Sequence, residues 1–173
     1  MKYRVIEKQT NSHNCFVCGM DNPAGIKARF YNVENESGEK VLLTIVDPKE
    51  QPIHQSYPDR MHGGVISALL DESIGRSVQF LHPDIWAVTI DLAIKFRKPV
   101  PINETIYIES HITNLGSRAF EGEGRMFDRH NATLATAVGK FFRVSVDVAF
   151  PELQKSGEKL FVVPEPMPEY IVI

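Results

Sequence analysis

No stretch of this 173-residue chain is apolar for long enough to cross a bilayer as a helix. Residues Met1 to Thr10 carry charges and no apolar core, so secretion is not expected and the cytoplasm is the expected location. A basic excess is also missing. Nineteen Lys and Arg stand against 22 Asp and Glu, a net charge of -3, which argues against a general nucleic-acid binder. Cysteine is scarce: Cys15 and Cys18 are the whole supply, and without a secretion signal reduced thiols are their expected state. No internal repeat or low-complexity tract stands out. What is there, 43% hydrophobic and 24% charged residues, fits one globular domain with enough chain for a core.

Punctuation and periodicity divide the chain into three. Residues 1–26 read as an irregular segment marked by Asn11, Asn14, Asn22, Pro23 and Gly25. Residues 27–146 form the central domain and 147–173 a tail. Strands are predicted at 27–34 and 39–47, joined by a hairpin through Asn35-Glu36-Ser37-Gly38. A loop over 48–63 leads to a helix over 64–80, ending before Pro83. Four more strands are predicted at 86–97, 104–114, 117–128 and 131–146, with turns at Leu115-Gly116-Ser117 and Asp128-Arg129-His130-Asn131. Strict alternation in the first of them puts Trp86, Val88, Ile90, Leu92, Ile94 and Phe96 on one face, and Ala87, Thr89, Asp91 and Ala93 on the other. The order β-β-α-β-β-β-β is an α+β layer, with the helix packed on an antiparallel sheet. The tail begins at Pro151 and ends in Tyr170-Ile171-Val172-Ile173, apolar enough to dock, with a partner subunit as one place to do so.

The most informative stretch is His62-Gly63-Gly64 opening the helix, with Asp71 and Glu72 at its middle. A turn at a helix N-terminus presents free N–H groups and the positive end of the helix dipole, which can hold an anion or polarise a carbonyl. A carboxylate in a largely apolar helix is costly unless something uses it. At about 100° per residue, Val65, Ile66, Leu69, Leu70, Ile74 and Val78 fill a wide apolar arc. Glu72 falls on the polar side, four residues before Arg76, as a solvated pair. Asp71 lies at the arc's edge among Ser67, Ala68 and Gly75, whose small side chains leave room for a ligand. Asp71 is thus the candidate functional carboxylate; an acid solvated at the helix edge is the other reading. Seven residues separate Gly64 from Asp71, about 10 Å of axial rise. If both serve one reaction, the site is shared across a dimer.

Other constellations carry less. Cys15-x2-Cys18 has the spacing of half a zinc site, which His13, His54 or a second chain would have to complete. The preferred reading is a thiol pair ordering the N-terminal segment, with no metal. Lys95, Arg97 and Lys98 at a strand end are surface charge or a grip on phosphates. Gly122, Gly124, Ala135, Ala137 and Gly139 alternate within strands; small residues on one face let a helix approach a sheet, which is preferred to making room for an acyl chain.

These residues resemble a known family. His62-Gly63-Gly64, Leu70-Asp71 and Gly75, then Thr89-Ile90-Asp91 and Phe96-Arg97-Lys98-Pro99, are similar to hotdog-fold thioesterases of the phenylacetic-acid-pathway type, within the 4-hydroxybenzoyl-CoA thioesterase-like superfamily. Cys15-Phe16-Val17-Cys18-Gly19 with Asn22-Pro23 and Gly25-Ile26, and His54-Gln55 with Tyr57, resemble a subset of it. The resemblance covers about residues 27–146. It implies a helix wrapped by a curved antiparallel sheet, and homodimers or dimers of dimers with joined sheets. The substrates it implies are acyl-CoA or acyl-carrier-protein thioesters, with small aryl or medium-chain acyl groups. Gly63, with Gly64 completing the turn, would polarise the thioester carbonyl. Asp71 of the facing subunit would be base or nucleophile, Thr89 would orient water, and His62 would position the turn or contact the leaving thiol. Glu72, Arg97, Lys98 and Ser56 complete the expected substrate-binding set. Ser56 is a departure, since related enzymes carry asparagine six residues before the histidine. Thioester hydrolysis calls for no metal or redox cofactor. A non-catalytic acyl-CoA-binding or regulatory module on the same scaffold is the alternative. A hydratase of enoyl thioesters would want an Asp and His pair on its own motif, which is not found.

Overall fold

A computed structural model describes residues 1–48, 52–145 and 160–173. Nine elements follow in order: β1 (Lys2–Lys8), β2 (Arg29–Glu34), β3 (Lys40–Val46), α1 (Gly63–Arg76), β4 (Ile85–Phe96), β5 (Ile106–Leu115), β6 (Ala119–Phe127), β7 (Thr133–Ser145) and β8 (Tyr170–Val172). The strands form one antiparallel sheet in the order β4-β7-β6-β5-β3-β2-β1-β8, with α1 on one face. This is the expected α+β arrangement. The predicted helix over 64–80 appears as α1 followed by a 3-10 turn at Ser77–Phe80.

Two of the three hairpins illustrate the chemistry their residues suggest. The Asn35 carboxamide oxygen accepts from the Ser37 and Glu39 amides at 3.1 and 2.9 Å, and Gly38 takes φ +83°, a left-handed conformation that suits glycine. The Asp128 carboxylate accepts from the His130 and Ala132 amides, both at 2.9 Å.

Three expectations need correction. The N-terminal segment, read as irregular, begins with β1. Its apolar Tyr3 and Val5 alternate with charged Lys2 and Arg4, and that charge hides the strand from a composition reading. The tail's last residues, placed outside the central domain, form β8, which docks on β1 of the same chain (Tyr3↔Ile171). Three residues are too short a strand to show a period. The third correction concerns β4. Thr89 pairs with Phe141 and Asp91 with Lys140, so Ile90 is an extra residue, a β-bulge. The bulge shifts the phase of alternation. Ile85 and Ala87 pack on the core before it, and Leu92 and Ile94 after it, whereas Val88 and Ile90 are 46% and 55% exposed. Pro151, where the tail was expected to begin, lies outside the described residues.

The main core lies between α1 and the sheet. Leu69, Leu70, Ile74, Val78, Ile106, Ile108 and Phe120 are buried there. A second apolar layer, built on Tyr3, Val33, Leu43 and Phe127, covers the opposite face of β1, β2 and β3. Buried hydroxyls stitch α1 to the sheet. Ser73 donates to Leu69 O at 2.6 Å and so accepts from Thr44 on β3 at 2.9 Å, while Ser110 on β5 donates to Ser73 O at 2.8 Å. The small residues of β6 let the helix in close, as expected. A Cβ on Gly122 would sit 2.9 Å from Ile74 Cγ2 and 2.8 Å from the His111 carbonyl oxygen, and one on Gly124 would sit 3.0 Å from Ile74 Cγ1. Because backbone is among the atoms in the way, Gly122→Ala should cost about 1–3 kcal/mol in urea unfolding, the range for forced overpacking.

Candidate active site

The turn before α1 is built by His62. Its backbone is extended (φ -65°, ψ 138°), and its Nδ1 accepts the Gly64 N–H at 2.9 Å as a helix N-cap. Accepting at Nδ1 leaves any ring hydrogen of a neutral His62 on Nε2. His62 O accepts from Val65 and Ile66 at 3.0 and 3.1 Å. With Gly64 engaged, the Gly63 N–H is the donor left at the helix N-terminus, without a partner among the described residues. Neither glycine has a positive φ. A Cβ on Gly63 would meet only the edge of the Phe96 ring, at 3.8 Å, so this glycine answers no crowding within the chain and leaves its amide approachable from outside.

Eight residues on, Asp71 accepts from the Thr89 hydroxyl at 2.7 Å. The β4 bulge sits just beyond Thr89, on the strand that Ala87 anchors against Gly75. Burial pushes the Asp71 carboxyl above the ordinary range, the Thr89 hydrogen bond pulls it back, and neighbouring Glu72 adds to the rise. Asp71, Glu72 and Thr89 line a cavity of about 220 Å³ together with Cys15, Cys18 and Arg76.

Glu72 and Arg76 are not the solvated pair expected. Their side chains are 27% and 11% exposed and joined at 2.7 Å. Arg76 also donates to Thr10 O at 2.9 Å and to Cys18 Sγ at 3.2 Å, and its guanidinium lies 4.3 Å from the Phe30 ring centre. The N-terminal segment folds over the helix and buries them. It is pinned by Asn11, which donates to Cys18 O and Ala28 O, both at 2.9 Å. The segment from Leu160 closes over it: Phe161 pairs with Asn11, and the buried Lys8 ammonium reaches Val163 O at 3.1 Å and Glu165 at 3.0 Å.

The other residues singled out lie elsewhere. Ser56 is exposed on the loop before the turn. Arg97 and Lys98 are exposed just after Phe96, and Arg97 lines a separate groove with Lys95, Glu123 and Arg125. Neither histidine considered for the cysteine pair joins it. His13 bonds Asp21 at 2.6 Å, and His54 Nε2 bonds Ala24 O at 2.8 Å. Glu72 is the group near both thiols, a proximity invisible from spacing because two distant segments supply it.

A carboxyl whose folded pKa lies above its unfolded value destabilises the fold once ionised and costs nothing where both states hold the proton. Asp71→Asn should therefore raise Tm at neutral pH. The difference from wild type should close as pH falls through the carboxylate range, read by thermal unfolding across pH.

The geometry accords with known proteins. The profile of the Thioesterase superfamily matches residues 59–135, which hold the turn, α1, β4, β5 and β6. No curated protein matches. Among solved structures, a thioesterase superfamily protein, RHA08564, superposes with TM-score 0.63 at 18% identity, over 75% of this chain and 63% of that one. The BH2602 protein from Bacillus halodurans, solved with CoA, gives TM-score 0.53 at 26% identity over 59% and 66%. The PaaI protein of the E. coli phenylacetic acid degradation operon gives 0.56 at 16% over 69% and 81%. This chain thus spans just under two thirds of the length of the first two. The fold is the hotdog fold, and residues 59–135 are similar to the Thioesterase superfamily.

Proposed function

We propose that this chain is an acyl-CoA thioesterase whose active site is completed by a second copy of itself. The observation that carries this reading is the separation of two complementary groups on one rigid helix. The Gly63 amide, unpartnered among the described residues, and the Thr89-bound Asp71 carboxylate stand eight residues apart, about 12 Å along the axis. Neither side reaches the other within one chain, and a two-fold pairing would bring each to its complement. The edge strand β4 supports such a pairing. Among the described residues its outer side has no neighbouring strand, and it exposes Val88, Ile90 and Phe96. Coenzyme A as ligand is supported by BH2602, which binds it on this fold.

In this reading the Gly63 N–H points at the thioester carbonyl oxygen and stabilises the charge that develops there, worth about 3 kcal/mol. His62 holds the turn by taking the Gly64 N–H. Asp71 of the facing copy, oriented by Thr89, removes a proton from water as it attacks, a contribution of about 10²–10⁴-fold. Direct attack by the carboxylate is the other route open to it. Collapse of the tetrahedral intermediate breaks the C–S bond and releases the thiol. Arg97 and Lys98 follow Phe96, whose ring lies beside Gly63, and are assigned to the coenzyme A phosphates with Ser56 nearby on the loop. The acyl groups proposed are small aryl or medium-chain, carried by coenzyme A or an acyl-carrier protein.

Free-thiol release from a panel of acyl-CoAs tests the activity. Asp71→Ala should lose about 10²-fold or more in kcat while still binding substrate. Undiminished turnover would remove Asp71 from the reaction, and binding without turnover by the wild type would leave a binding module. Sharing has its own test. Gly63 is the first helical residue after an extended His62, a place that tolerates proline, so Gly63→Pro deletes one N–H and little else. Each variant alone should be inactive. Refolded together, Gly63→Pro and Asp71→Ala chains should recover about a quarter of wild-type activity, from the one intact site in each mixed dimer. No recovery in verified mixed dimers would place both groups in one chain's site.

A further inference from the structure

Cys15 and Cys18 take no part in the proposed hydrolysis, yet both line the cavity beside Asp71. They differ sharply. Cys15 is half-buried at the cavity wall, whereas Cys18 is 2% exposed. Cys15 Sγ accepts two backbone amides, Val17 at 3.3 Å and Cys18 at 3.4 Å, the arrangement that stabilises a thiolate. Cys18 Sγ accepts from Arg76 Nη2 at 3.2 Å and lies 3.5 Å from Ser12 Oγ. The Cys18 thiol, followed by the amides, holds the Cys15 thiol below the ordinary cysteine range against the opposing effect of burial, and Cys18 is correspondingly raised.

A metal would need the same place. The two sulfurs and a Glu72 oxygen lie within 4.8 Å of one another. Arg76 already fills that role: its Nε sits 2.7 Å from Glu72 and its Nη2 on Cys18, so a fixed buried cation neutralises the cluster. An arginine so placed would repel a divalent ion, but it suits a cysteine that must become a thiolate late in an exchange.

We propose that Cys15 and Cys18 are a reactive dithiol that closes reversibly to a disulfide by exchange with the disulfide of a small thiol. The Cys15 thiolate attacks one sulfur of R–S–S–R, forming Cys15–S–S–R and expelling RS⁻. Cys18 then loses its proton to solvent, and Arg76 stabilises the thiolate that results. That thiolate attacks Cys15 Sγ, closes the Cys15–Cys18 bond and expels the second RS⁻. The protein is oxidised by two electrons, and one small disulfide is reduced to two thiols. The half-buried thiol at the cavity wall attacks and the shielded one resolves, so the chain should not accumulate two adducts. This inference is independent of the thioesterase reading, because thiol exchange needs neither Gly63 nor Asp71.

Intact-mass spectrometry of the reduced full chain, after incubation with glutathione disulfide and acid quench, tests it. The wild type should lose the mass of two hydrogen atoms, and peptide mapping should show Cys15 joined to Cys18. Cys18→Ser should stop at a single glutathione adduct on Cys15, formed roughly tenfold faster than on an unstructured cysteine peptide. Cys15→Ser should stay unmodified. Double glutathione adducts on the wild type, reaction at Cys18 in Cys15→Ser, or no mass change would each overturn the proposal. So would a purified protein whose thiols react only after a chelator removes a stoichiometric metal. Mapping on the wild type gives the answer even if a variant fails to fold.

Discussion

The placement of everything in this molecule depends on how closely α1 can lie against β6. Ile74 fits over Gly122 and Gly124 because neither carries a Cβ, and Ser73 locks the helix there through Thr44 and Ser110. A helix held by hydroxyls on two strands and by a steric fit on a third has little freedom to slide or roll. Its N-terminal amide and its central carboxylate are therefore fixed relative to the sheet, as the proposed reaction would need. Such preorganisation is what electrostatic stabilisation of a transition state requires.

Two devices then tune what the helix presents. At its start, a histidine side chain occupies one amide and leaves the next one open, so the turn offers a single directed donor instead of a diffuse positive end. At its middle, the β4 bulge sits beside the threonine whose hydroxyl binds Asp71. Burial, the Thr89 bond and the Glu72 charge act on that one carboxyl in different directions, and burial is the largest. The same wall continues to the two thiols, with Arg76 bonded to both the Glu72 carboxylate and the Cys18 sulfur.

Much of this was legible in the sequence, and the exceptions have physical causes. The hairpins, the helix and the central strands announce themselves because turn residues and burial periods are local properties. The tight helix contact could be read from alternating glycines. β1 could not be read as a strand, because Lys2, Arg4 and Glu7 are interleaved with its apolar residues, and β8 was too short to carry a period. The turn and Asp71 stood out as an unusual combination on one helix. That Thr89 would face Asp71 did not follow from alternation, since a bulge is decided by pairing with β7 and not by β4 alone. The burial of Glu72 and Arg76 depended on a segment some 60 residues earlier folding across them, which no helical wheel contains.

The extra residue in β4 has a consequence for how this strand can change in length. Remove Ile90, and the residues on either side keep the faces they have now: Ala87 and Thr89 still look toward the helix, as do Leu92 and Ile94. Remove one residue elsewhere in the strand, outside the Ile90–Asp91 pair, and every side chain to one side of the cut exchanges core for solvent. β4 thus has one place, the bulge itself, where a single-codon deletion leaves inside and outside in place, and it lies next to the threonine that steadies the acid.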